Sequence, residues 1–82
     1  MEPYIGDIEL FAFDFAPMDW LPCEGQTLNI TDYEVLFALI GNRYGGNGMT
    51  TFCLPDLRNM LPMKEMGMHY CIATVGVFPQ RS

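Results

Sequence analysis

His69 and Cys71 set a base and a nucleophile two positions apart, and His69 is the only histidine in the chain. On a strand that spacing puts both side chains on one face, as a Cys/His nucleophile pair requires. No third group stands nearby to orient the base and no oxyanion hole is identifiable, so His69 reads as structural. Enzymatic chemistry is not expected. Cys23, Cys53 and Cys71 are odd in number and widely spaced, which fits neither a CxxC metal knuckle nor a dense disulfide scaffold. They read as buried thiols. With one histidine they could hold zinc only by convergence from distant segments. Neither a metal nor another cofactor is therefore expected. The run Gly41-Asn42-Arg43-Tyr44-Gly45-Gly46-Asn47-Gly48 could cradle a phosphate with backbone amides. It lacks the Gly-Lys-Ser/Thr of a P-loop, however, and comes after a helix where a phosphate site precedes one.

The elements that must carry these residues are short. Ile8, Leu10 and Ala12 alternate with Asp7, Glu9, Phe11 and Phe13, which predicts a strand over 5–13 whose second face turns aromatic. A strand apolar on both faces in so small a protein needs cover on both, which a partner chain could give. Next come a turn through Pro17 and a second extended segment over 20–30, broken near Gly25. Thr31-Asp32-Tyr33-Glu34 has the form of a capping box, and Tyr33, Leu36, Phe37 and Ile40 share one helical face. A helix is predicted over 32–40, ended by Gly41. The glycine run is a loop, Pro55 and Pro62 keep the next stretch from continuous helix or central strand, and the uncharged stretch 70–78 reads as a buried strand closing the sheet. Met60, Met63, Met66 and Met68 suit gap-filling in a core or a subunit contact.

Eighty-two residues allow one domain, 1–82. Half of the residues are hydrophobic and 17% are charged, which excludes intrinsic disorder. A net charge of −6 argues against nucleic acid and anionic lipid as partners. The longest apolar stretch, Val35 to Ile40, falls far short of the roughly 20 residues of a membrane helix, so no membrane insertion is expected. Met1-Glu2-Pro3-Tyr4 has neither the basic start nor the apolar run of a signal peptide.

A more specific signal comes from blocks in a fixed order. Tyr4-Ile5-Gly6-Asp7-Ile8, Phe15-Ala16-Pro17 leading to Trp20, and Cys23-Glu24-Gly25-Gln26 resemble the opening of the phage tail collar domain, known from short tail fibres and bacterial microcystin-dependent proteins. Leu36 to Gly41, Tyr44 to Gly48 and Thr51 to Arg58 continue the resemblance, and Tyr70-Cys71-Ile72-Ala73 with Gly76-Val77-Phe78-Pro79 looks like the end of the bacterial members. The chain departs from them in Glu24, where Asp is usual, and in Asn59-Met60, where Gly-Arg is usual. Only Asn59 to His69 spans the place of their long His-rich segment. That segment's receptor-binding and metal-binding roles are therefore not carried over.

The residues and the resemblance together imply a small α+β fold: a short antiparallel sheet from the first and last segments, one short helix and a glycine-rich loop. The implied function is structural, a self-associating collar-type subunit of a phage tail-like or extracellular assembly, located on a virion, a tail-like particle or such an assembly. Its partners would be itself, as trimer or filament, and other tail-like components. Tail-fibre collar domains work as trimers, and grouped apolar residues point to the contact: Phe11, Phe13, Met63, Met66, Val77 and Phe78. The alternative is a small module binding a cell-surface saccharide or protein through Trp20 and Tyr44. The resemblance also implies that Cys23 and Cys71, in blocks where the family often carries cysteine, lie near each other as a disulfide candidate.

Overall fold

The computed structural model describes residues 2–60 and 67–80. Met63 and Met66 lie outside the described residues. A three-stranded antiparallel sheet has the order β1-β5-β2, formed by β1 (Ile8–Phe11), β2 (Trp20–Pro22) and β5 (His69–Ala73). Because β5 is hydrogen-bonded on both edges, it needs a run without charge, and Cys71, Ile72 and Ala73 are fully buried there. The first and last segments thus form one sheet, as expected. A second, two-stranded sheet pairs β3 (Thr27–Asn29) with β4 (Thr51–Cys53). The break between β2 and β3 falls at Gly25, again as expected.

The predicted strand over 5–13 is shorter in the structure. Before Ile8 the chain turns, and Tyr4 makes a separate bridge to Val77, with the Ile5 N–H donating to the Val77 carbonyl at 2.9 Å. Beyond Phe11 the chain bends, so Phe13 lies outside the strand. The closing strand likewise ends at Ala73, and Val75, Val77 and Phe78 are exposed.

One α-helix, α1 (Glu34–Ile40), packs its apolar face inward. Leu36 is buried with Cys23, Phe52, Leu54 and Ile72, while Tyr33, Phe37 and Ile40 pack against that cluster. Phe37 meets Phe52 edge-on, with ring centroids 5.4 Å apart. Gly41 ends the helix at φ 62°, its N–H donating to the Phe37 carbonyl at 2.7 Å. The capping box does not form. Residues Ile30–Asp32 wind into a 3₁₀ turn, which makes Tyr33 the residue before the helix, and no side chain caps it. Thr31 is thereby carried into the turn that leads to the helix. No helix among the described residues is long and apolar enough to cross a membrane.

The glycine-rich loop is ordered by one side chain. Asn47 Oδ1 accepts from the backbone N–H groups of Met49, Thr50 and Thr51 at 2.8, 2.8 and 3.0 Å. Its Nδ2 donates to Thr50 Oγ1 at 2.9 Å. Gly46 lies against β4 at φ 87°, where an added Cβ would overlap the Phe52 backbone and stand 2.7 Å from the Thr51 carbonyl oxygen. Past β4, Asp56 and Arg58 form a two-pronged ion pair, Nε to Oδ1 at 2.9 Å and Nη2 to Oδ2 at 2.7 Å.

Candidate functional site

β1 brings Phe11 opposite His69 on one edge of β5, and β2 brings Trp20 opposite Ala73 on the other. Side chains of paired residues point to the same side of a sheet. Phe11, Trp20, His69, Cys71 and Ala73 therefore share a face. The Phe11 and Trp20 rings meet edge to face at 5.1 Å, a favoured aromatic geometry. Phe13 stacks obliquely on Phe11 at 5.2 Å, and Phe15 on Phe13 at 4.8 Å. A continuous row of four rings results, more buried at Trp20 and Phe11 and exposed to 64% at Phe15. Phe15 was not among the expected contact residues. Its signal was the regular spacing Phe11, Phe13, Phe15, which outlasts the strand.

Trp20 and Phe11 also line an open groove of about 550 Å³ with Glu2, Pro3, Tyr4, Asp7, Glu9 and Pro17. A second groove, about 680 Å³, runs between Ala38 and Leu39 of α1, Arg43, and the tail Phe78-Pro79-Gln80. The expected contact residues that are described thus fall into three places, Phe11 and Phe13 on the aromatic row, Phe78 beside the helix, and Val77 at the bridge to Tyr4. Trp20 belongs with Phe11. Tyr44, half exposed on the glycine loop, is not among the residues lining the Trp20 groove.

The thiols are built for burial. Cys23 is pushed up to about 12, first by burial and then by the nearby Cys71. Cys71 is raised by burial and by the Glu24 carboxylate. His69 and Cys71 do stand on one strand at the expected spacing, but a thiol held protonated lacks what a nucleophile needs. Cys23 comes directly after Pro22, the residue opposite Cys71, and its N–H donates to the Tyr70 carbonyl at 2.9 Å. All three cysteines are free, and Cys53 lies apart on β4, with Thr27 Oγ1 at 3.3 Å from its sulfur.

A chain with this small α+β architecture and an aromatic row on one face of its sheet is better defined by its relatives than by any pocket. The model of the Phage Tail Collar Domain matches residues 6–62. The chain belongs to that family. Over 57 residues, 68% of its length, it is 39% identical to the short tail fiber protein gp12 of Enterobacteria phage T4. That match spans 11% of the relative's length. No solved structure matches the chain.

Proposed function

We propose that the protein is a structural, self-associating collar-type subunit of a phage tail or tail-like assembly, carried on the virion, a tail-like particle or another extracellular assembly. The observation that carries this reading is the row Phe11–Phe13–Phe15, an apolar surface on a domain too small to cover it. Among the described residues seven hydrophobic side chains are buried in the core, whereas thirteen large apolar side chains stay exposed, Phe13, Val77 and Phe78 among them. Grouped apolar surface of this kind marks association sites. Membership of the collar family and likeness to a tail fibre protein support the same reading, with other tail components as further partners.

Light scattering after size exclusion tests it. The parent is expected to elute as an oligomer at micromolar concentration, and Phe13→Asp or Phe78→Asp to elute as a folded monomer, because each sets a charge in the contact. A parent that elutes as a stable monomer would remove the assembly reading and favour the module that binds through Trp20 and Tyr44. In an exported assembly the neighbouring Cys23 and Cys71 would be the thiols that oxidise to a disulfide. A non-reduced peptide map in which Cys53 is bonded to either one would exclude that pairing.

A further inference from the structure

At a net charge of −6, two copies of the chain repel each other at long range. A contact between them gains most where a cation on one meets carboxylates on the other. Among the described residues two side chains carry a permanent positive charge, Arg43 and Arg58. Arg58 is held by Asp56. Arg43 is exposed and has no hydrogen-bond or ion-pair partner among the described residues. It stands in the helix groove beside the apolar side chains of Phe78 and Leu39.

The aromatic groove has the opposite character. Glu2, Asp7 and Glu9 surround Phe11 and Trp20, and among the described residues no basic side chain lines it. Asp7 is partly engaged, accepting from the Tyr4 N–H at 2.9 Å. The Glu9 side chain is exposed and has no hydrogen-bond or ion-pair partner among the described residues.

Resting on the self-association reading, we propose that the Arg43–Phe78 face of one copy seats in the Glu9–Phe11–Trp20 groove of a second copy. Phe78 packs on the Phe11 and Trp20 rings, and the Arg43 guanidinium pairs with the Glu9 carboxylate. The two faces are different surfaces, so the contact is heterologous. Each added copy then brings one unused groove and one unused Arg43 face, so the contact repeats as a ring or a filament according to the rotation between copies. Tyr4 lines the groove and bridges to Val77, the residue before Phe78, so the two faces adjoin along one edge.

Charge reversal tests the contact in the full chain, with light scattering and sedimentation as readouts and circular dichroism to confirm folding. Arg43→Glu and Glu9→Arg are each expected to weaken association by about tenfold or more. The double variant, which restores opposite charges across the contact, is expected to recover it. Association equal to the parent's in both single variants would overturn this contact while leaving self-association intact. Failure of the double variant to recover would overturn it as well. A monomeric parent would remove self-association and this contact together.

Discussion

The two sheets face the same shortage of core material and meet it differently. Around β3 and β4 the chain covers its own apolar surface: Phe52 and Leu54 are fully buried, Phe37 lies edge-on to Phe52, and the glycine loop folds back on the strand. In β1 no residue is fully buried, and Ile8 and Leu10 are each more than 40% exposed. A helix and a loop close one sheet from within the chain. The other keeps its row of rings partly exposed, the surface that the proposed self-association would cover. In a domain this small, burial is finished where backbone can approach backbone, and apolar surface is left exposed where only bulky side chains remain.

The largest expected effect breaks the self-covered side. Gly46→Ala must fit a Cβ into the Phe52 backbone at a positive φ, and neither feature can relax by moving a side chain. A loss of about 3 kcal/mol or more is expected in chemical unfolding; a loss within about 1 kcal/mol would show that the loop does not sit on β4 as described. Asn47→Ala removes the acceptor shared by three N–H groups in a loop that water can reach, and about 1–2 kcal/mol is expected. Asn47→Asp keeps the acceptor and should retain most of the stability. If both variants melted with the parent, the loop would be ordered by something other than Asn47.

The smallest effect belongs to the exposed ion pair. Hydrogen bonds from the Arg58 side chain and backbone hold the Asp56 carboxyl at about 2, below its ordinary 3.8. A carboxylate lowered on folding stabilises the folded state above its unfolded pKa. That contribution is therefore present above about pH 4 and is lost as pH falls through about 2. NMR titration should show Asp56 returning toward its ordinary value in Arg58→Ala. An unmoved titration would mean that the pair does not hold in solution.

Sequence patterning reached the elements whose signal is local. The helix face of Tyr33, Leu36, Phe37 and Ile40 is where the spacing put it, and Gly41 and Gly25 end what they were expected to end. Thr31 failed because a 3₁₀ turn intervened, and that turn is fixed by tertiary pairing: the Ile30 N–H donates to the Thr50 carbonyl across the second sheet. β4 escaped notice because three residues carry too little periodicity to stand out beside a glycine loop. The role of Asn47 was hidden for a related reason, since an asparagine between glycines looks like any turn residue until its three donors converge on it. At the candidate surface, alternation found Phe11 and Phe13, whereas the pairing of Phe11 with Trp20 depends on β5 lying between their strands. No local pattern contains that placement.

Trp20 is the only tryptophan in the chain and lies in the aromatic groove, so its fluorescence reports directly on whether that face is covered. Iodide quenching of Trp20 should be measured across a dilution series alongside light scattering. Quenching that falls as concentration rises, in step with the mass, is the result expected if a second copy closes the sheet. Quenching that stays constant while the mass changes would contradict it, and would place the contact between copies elsewhere.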